Sequence, residues 1–166
     1  ALFAEEREFL ISLDGKVGDS DLGITMSKSF AAAAEAVTAE GEAAGIAKLL
    51  RTAGATMART APSTMGTLTA TGFLRASKAL ETADGIGTAE AAKFWTAFRD
   101  GVAERGKAKV GDKTLLDVLD PIARSLEEAA ASGKSLGEAL ALATTAAEDS
   151  LEATKSLVAQ HGKAAA

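Results

Sequence analysis

Alanine is the residue that most constrains the fold of this chain, because it supplies 39 of the 166 residues. Alanine has the highest helix propensity, and a face of alanines lets neighbouring helices pack closely. Sheet proteins depend instead on β-branched and aromatic residues, whereas this sequence has six phenylalanines, one tryptophan and no tyrosine. We therefore expect packed helices and not a β-sandwich or barrel.

The spacing of apolar residues is helical along almost the whole chain. One helix face carries Leu115, Leu119, Ile122 and Leu126 at positions i, i+4, i+7 and i+11. Helices are also predicted over about 2–12, 25–39, 43–60, 64–82 and 89–103. No segment predicts a strand, and short glycine-bearing joints separate the helices. The expected fold is one all-α domain of antiparallel helices that spans residues 1–166.

The last two predicted helices carry signals for their ends. Asp112 is a good N-cap, so the first of them is expected to begin there, and Pro121 predicts a kink inside it. The run Ser135-Leu136-Gly137-Glu138 is a capping-box pattern that opens the second helix. That helix is expected to continue to Gly162, which makes His161 an exposed residue near its end.

The residues that are scarce exclude several kinds of chemistry. Without cysteine the chain has no disulfide, thiolate nucleophile or cysteine-bound metal, and one histidine leaves little room for histidine-based metal or triad chemistry. A net charge of −5 disfavours a nucleic-acid partner. No apolar run approaches the roughly 18 residues that span a bilayer, and the acidic start is unlike a signal peptide. We expect a cytoplasmic protein that contacts no membrane.

Residues 13–26 break the helical pattern most completely. Asp14, Asp19 and Asp21 lie there among three glycines, in a segment that can turn tightly and point carboxylates at one centre. Such oxygen ligands suit Mg²⁺ or Ca²⁺, and the helix predicted from Thr25 would present its N-terminal amides to an anion. The spacing fits neither an EF-hand nor a Walker A loop. Two interpretations remain open: a site for a metal and a phosphate, or a solvated loop of Asx turns.

Three segments resemble the L subunit of the dihydroxyacetone kinase family. The stretch from Leu13 to Gly23 is similar to the family's Leu-Asp, three variable residues and Gly-Asp-Gly-Asp-His-Gly. Gly111-Asp112-Lys113-Thr114-Leu115-Leu116-Asp117 is similar to its Gly-Asp-Lys-Thr-Met-Leu-Asp segment. Residues 152–164 resemble its tail, which reads Glu-Ala-Thr-Lys and then Gly-Arg-Ala. The three motifs follow the family order and cover essentially the whole chain.

This resemblance implies an eight-helix antiparallel barrel with ADP or ATP and two Mg²⁺ ions at one end. The metal ligands would be Asp14, Asp19 and Asp21. The nucleotide phosphates would meet the backbone at Leu22, Gly23, Ile24 and Thr25. A second loop over residues 61–68 would add Ser63, Thr64 and Met65, and the base pocket would lie near Gly106 and Leu115. Lys163 would stand where the family tail has an arginine.

The sequence departs from the family pattern in ways that bear on the site. Leu22 occupies the usual histidine position, and Pro62-Ser63-Thr64-Met65 replaces a glycine-rich segment. Lys163 cannot make the bidentate phosphate contact of an arginine. Each assigned residue also has a structural interpretation: Leu115 and Met65 as core, Lys163 as a solvated charge, and the glycines as plain turns.

The resemblance implies one half of a two-part kinase for dihydroxyacetone or a related short ketose. The ketose would be held by a separate K subunit, and a homodimer is also compatible with the family. The phosphoryl donor would be either exchanging ATP or a tightly held ADP that a phosphotransferase-system protein rephosphorylates. Two other functions remain open: a non-catalytic regulatory module that binds a nucleotide, and a structural bundle with an acidic loop.

Overall fold

The computed structural model describes residues 2–60 and 62–165. Ala1, Ala166 and Ala61, the first residue of the predicted second loop, lie outside the described residues. The described part contains no β-strand and forms eight α-helices, which confirms the predicted all-α fold. They are α1 (Leu2–Glu5), α2 (Arg7–Asp14), α3 (Leu22–Ala39), α4 (Ile46–Thr60), α5 (Thr64–Ala79), α6 (Thr88–Gly106), α7 (Leu116–Ala131) and α8 (Leu136–Ala153). None of these helices is long and apolar enough to cross a membrane.

Consecutive helices from α3 to α8 pack side by side, and small residues lie where they meet. Ala76, Ala123 and Ala139 are completely buried. Larger side chains fill the space between these contacts, and the ring of Phe73 meets the edges of Phe30, Phe94 and Phe98. The alanine-rich composition is thus used to bring helix backbones close together. Aromatic rings supply the bulk of the core.

The up-and-down order of the helices gathers alternate connections at one end of the bundle. The connections there are residues 15–21, 62–63 and 107–115, together with the chain that follows α8. At the opposite end the start of α6 meets the α7–α8 connection, where the Thr88 hydroxyl donates to the Lys134 carbonyl oxygen at 2.8 Å. The three sequence motifs, distant along the chain, therefore lie at a common end.

The N-terminal helix boundaries differ in detail from the prediction. The helix expected over 2–12 is divided at Glu6 into α1 and α2, and the second part continues to Asp14. The next helix begins at Leu22, three residues earlier than expected. The segment from Asp14 to Asp21, called the acidic loop below, is therefore short. Its first aspartate, Asp14, is the last residue of α2, and its last aspartate, Asp21, directly precedes α3.

Asp112 is not the N-cap of α7, and that prediction is wrong. The helix begins at Leu116, because Gly111 and Lys113 have left-handed backbone conformations with φ of 98° and 57°. The carboxylate of Asp112 accepts the Lys109 amide at 2.9 Å within this loop instead. Once started, α7 continues on both sides of Pro121.

The helix expected to reach Gly162 ends at Ala153, so that prediction is also wrong. A 3₁₀ turn over Thr154–Ser156 follows, and Leu157 is extended with ψ of 153°. The chain leaves the helix because its polar groups find partners elsewhere: the Gln160 amide donates to the Asp112 carbonyl oxygen at 3.0 Å. His161 is consequently not a helix residue but a neighbour of the loop before α7.

Candidate functional site

The three aspartates of the acidic loop converge. One carboxylate oxygen from each of Asp14, Asp19 and Asp21 lies within 4.8 Å of the other two. Asp14 Oδ2 closes the loop by accepting the backbone amides of Asp21 at 2.9 Å and Leu22 at 3.2 Å. Asp14 is half-buried, whereas Asp19 and Asp21 are exposed. One carboxylate thus shapes the loop and the other two face solvent.

Two glycines allow the close approaches that this loop requires. A Cβ at Gly18 would lie 2.1 Å from Asp14 Oδ1, and a Cβ at Gly23 would lie 2.2 Å from the Arg7 carbonyl oxygen. Neither position has room for a side chain without movement of the backbone. Gly23, assigned from the resemblance to phosphate contact, therefore also sets the packing of α3 on α2.

The ammonium of Lys163 lies against the acidic loop and pairs with the Asp19 carboxylate. The hydrogen bond from Lys163 lowers the pKa of Asp19, and it also raises the pKa of Lys163, with added attraction from Asp21 and Asp14. The loop therefore already attracts a cation. Three carboxylates with oxygen atoms this close together fit Mg²⁺. This ion takes one or two carboxylates and completes its coordination shell with phosphate or water.

A cleft of about 510 Å³ opens beside the aspartates and faces two helix N-termini. It is bordered by Leu22 and Thr25 at the start of α3 and by Ser63, Thr64 and Met65 at the start of α5. The Ser63 hydroxyl caps α5 by accepting the Gly66 amide at 3.0 Å. Both helix N-termini carry partial positive charge, so their position favours an anion next to the metal-type ligands.

The remaining predicted residues are divided between other environments. Gly106 borders an adjoining cleft of about 590 Å³ that it shares with Ser63 and Thr64. Leu115 borders neither cleft and packs against the apolar cluster around Leu116 and Leu119. Ile24 borders neither cleft and is 46% exposed. Gly23, which is buried, also borders neither cleft. The structure thus brings the three aspartates together with Leu22, Thr25 and the start of α5, but it does not join the two halves of the predicted base pocket.

Sequence reasoning assigned no role at these clefts to two charged or titratable residues that border them. His161 borders the first cleft, and Arg105 borders the second beside Gly106. The buried carboxylate of Asp112 holds His161, with the His161 Nε2 at 3.0 Å from its Oδ2. The Lys109 amide is the main cause of the lowered pKa of Asp112, and His161 adds to it. The position of His161 inside the tail motif, residues 152–164, was the available signal.

The family model of the DAK2 domain matches residues 16–166. The chain belongs to the DAK2 domain family. The match takes in Asp19, Asp21 and Lys163, and Asp14 lies just before its first residue. The resemblance based on the three sequence motifs is therefore confirmed for the family.

Several characterised proteins are similar to this DAK2 chain over most of its length. The ADP-binding subunit of the PEP-dependent dihydroxyacetone kinase of Escherichia coli (strain K12) is 32% identical over 163 residues, which are 98% of this chain and 77% of that protein. The corresponding subunit of kinase 1 of Listeria innocua is 33% identical over 162 residues, or 96% and 74%. An L-erythrulose kinase of Pectobacterium atrosepticum is 32% identical over 162 residues, which are 92% of this chain but 26% of the kinase.

Proposed function

We propose that this DAK2 chain is the nucleotide-binding, phosphoryl-transferring subunit of a cytoplasmic kinase for dihydroxyacetone or a related short ketose. The observation that carries the proposal is the meeting of three carboxylates and two helix N-termini at one cleft. The two helix N-termini favour an anion, and the neighbouring carboxylates can bind a divalent cation. This combination suits a nucleoside diphosphate or triphosphate with its metal. The names of the similar proteins, two ADP-binding subunits and an erythrulose kinase, support the same class of reaction.

In this proposal each part of the cleft has one task. Asp14, Asp19 and Asp21 would hold two Mg²⁺ ions, which when bound neutralise the charge on the phosphate oxygens. The backbone from Leu22 to Thr25 and the start of α5 orient those phosphates. Lys163 adds a single positive charge from the tail.

The adjoining cleft is proposed to receive the base end of the nucleotide. Gly106 leaves space at its border, and Arg105 offers a flat guanidinium beside it. Ser63 and Thr64 belong to both clefts, so one ligand can extend from the aspartates to Gly106. Leu115 contributes to this end through the packing of the core and not through direct contact.

We further propose that the sugar is held by a separate K subunit. Phosphoryl transfer requires donor and acceptor in line, and the residues that border the cleft supply groups for a metal and phosphates. The histidine in this cleft is engaged with Asp112 and does not provide a free sugar ligand. The donor is either ATP or ADP rephosphorylated by a phosphotransferase-system protein. Relatives named PEP-dependent and PTS-dependent support the second type.

Calorimetry with ADP, in the presence and absence of Mg²⁺, tests the nucleotide site. We expect Mg²⁺-dependent binding by the wild type and its loss in Asp19→Asn and Asp21→Asn, because each variant removes a hard ligand charge while retaining the side-chain shape. Asp84→Asn, an exposed aspartate in the connection between α5 and α6, is the matched control and should bind like the wild type. Equal ADP binding by all four proteins would overturn the metal assignment.

A kinase assay separates the catalytic proposal from the regulatory alternative. The chain is mixed with dihydroxyacetone and ATP, alone and with the K subunit of a similar kinase, and the assay is repeated with a phosphotransferase-system donor. Product should form only with the K subunit present. Tight Mg²⁺–ADP binding without transfer under any of these conditions would favour the regulatory module, and turnover by the chain alone would contradict the two-subunit proposal.

A further inference from the structure

The chain after α8 crosses the end of the bundle as a tail, residues 157–163, which distant side chains hold at both ends. Near its start, the Lys113 ammonium donates to the Leu157 carbonyl oxygen at 3.0 Å. At its end, the Lys163 ammonium pairs with the Asp19 carboxylate. These contacts join the tail to the loop before α7 and to the acidic loop. The tail therefore bridges two connections that the helices alone leave separate.

Asp112 holds the middle of the tail through its backbone and its side chain. Its carbonyl oxygen accepts the Gln160 amide at 3.0 Å, and its Oδ2 lies 3.0 Å from His161 Nε2. The carboxylate is fixed in advance, because the Lys109 amide donates to the same oxygen and Asp112 is only 6% exposed. Detaching the tail would remove one hydrogen-bond partner from this buried carboxylate, which is unfavourable. The contact between Asp112 and His161 therefore stabilises the docked tail.

The anchored histidine limits where Lys163 can lie. His161 and Lys163 both border the cleft that contains the three aspartates. Two residues of extended chain span at most about 7 Å, so fixing His161 confines the Lys163 backbone to the cleft border. A tail that is ordered before the ligand arrives avoids the entropy cost of ordering it on binding.

We propose that Asp112 and His161 are positioning residues that clasp the tail at the cleft and so hold the Lys163 ammonium where the phosphates bind. This inference rests on the proposed function, because it assigns Lys163 a phosphate as its partner. His161 acts through the backbone of the tail and not through the reacting atoms. Removing the His161 side chain should therefore weaken phosphate binding in the same way as a partial loss of the Lys163 contact.

Mg²⁺–ADP affinities of His161→Ala, Lys163→Ala and the double variant test the clasp. We expect His161→Ala to weaken binding about tenfold, the effect of losing one hydrogen bond to a charged group. The double variant should bind no more weakly than Lys163→Ala, since both changes remove the same contact. His161→Gln retains a donor at a similar position and should restore most of the affinity. Additive losses, or wild-type affinity in His161→Ala, would overturn the proposal.

Hydrogen exchange of the ligand-free protein gives a second measurement. The Gln160 amide should exchange faster in His161→Ala, while the amides of α7 and α8 remain protected as in the wild type. Gln160→Ala is the matched control, because its contact with Asp112 is made by the backbone and survives the change. If the wild type binds no Mg²⁺–ADP, the proposed function fails and exchange alone decides the clasp. Unchanged exchange at residue 160 in His161→Ala would then refute it.

Discussion

The carboxylate of Asp14 accepts the backbone amide of Asp21 at 2.9 Å, so the first aspartate of the acidic loop holds the last one in place. The same oxygen accepts the Leu22 amide, which is the first of α3. A residue assigned to metal binding therefore also acts as a helix-capping group. The two roles can be separated by substitution.

Asp14→Ala should lower the free energy of unfolding by about 1 kcal/mol, the usual cost of losing a capping side chain. Asp14→Asn retains an oxygen acceptor for the two amides, so it should keep most of the stability while weakening Mg²⁺–ADP binding. Urea denaturation measures the first effect and calorimetry the second. An alanine variant as stable as the wild type would show that the Asp14 contacts contribute nothing to the fold.

Asp117→Ala should destabilise the loop before α7. Asp117 is 7% exposed, and its two oxygens accept the amides of Gly111 at 2.6 Å and Thr114 at 2.7 Å. Both hydrogen bonds are partly buried, and a hydrogen bond to a charged group contributes about 1.5–3 kcal/mol. Chemical denaturation gives the change, with Glu128→Ala on the exposed side of α7 as a control that should stay within about 0.5 kcal/mol of the wild type. Similar stability of both variants would contradict the assigned contacts.

Gly72→Ala should destabilise the contact between α5 and α6. A Cβ there would lie 2.6 Å from the ring of Phe98, which is buried and cannot move aside, and overpacking of this kind costs about 1–3 kcal/mol. Gly101→Ala lies at the same interface but meets Arg75 Cγ at 2.7 Å, on a side chain that is half exposed. Thermal melts should therefore show a larger loss for Gly72→Ala. A larger loss of thermal stability for Gly101→Ala than for Gly72→Ala would contradict the described contact between Gly72 and Phe98.

The contribution of Glu40 to stability should depend on pH. The Lys48 ammonium, and after it the Thr52 hydroxyl, lower the pKa of Glu40 below its ordinary 4.5. The unfolded chain binds this proton more readily, so the stabilisation is present above pH 4.5 and is lost as pH falls through the folded-state pKa. Glu40→Gln should be less stable than the wild type at neutral pH, and the difference should vanish in strong acid.

Urea denaturation across this pH range measures the Glu40 effect. Glu42→Gln changes the same charge at an exposed neighbouring position and serves as the control. A difference between wild type and Glu40→Gln that stays constant from neutral pH to strong acid would contradict the assigned ion pair.

The wild type should release ADP during dialysis with Mg²⁺ present. Leu22 offers no side-chain hydrogen bond at the cleft, and Lys163 is a point charge and not a bidentate donor. Leu22→His and Lys163→Arg should each tighten ADP binding about tenfold, which is the effect of one hydrogen bond to a charged group. Nucleotide retained after dialysis is the measurement, with Lys155→Arg as a control. Stoichiometric ADP on the wild type, rephosphorylated by a phosphotransferase protein and not by ATP, would contradict this expectation.

Local signals predicted most of the helices correctly. The capping box at Ser135 is present, with the Ser135 amide donating to the Glu138 carboxylate at 3.0 Å, and α8 begins directly after it. Such a signal works because the two partners are three residues apart and meet in any helix that starts there. The gathering of Asp14, Asp19 and Asp21 follows from the same kind of short-range turn.

Signals at helix ends failed where a distant partner was available. Asp112 has the side chain of an N-cap, yet its carboxylate meets His161, which is 49 residues away in the sequence. The tail likewise leaves the helical pattern to reach Asp112 and Lys113. Nothing in the local sequence distinguishes a carboxylate that caps a helix from one that binds another segment.

The sequence by itself determined that this chain is helical, that its helices meet through small residues and that three aspartates share a tight loop. Each of these properties depends on residue types or on neighbours within a few residues. The tertiary structure decided which connections meet, where α8 ends and what Lys163 contacts. Those outcomes depend on the up-and-down packing of the helices, which brings Asp19 and Lys163 together from opposite ends of the chain. Such long-range contacts form only once the helices are packed.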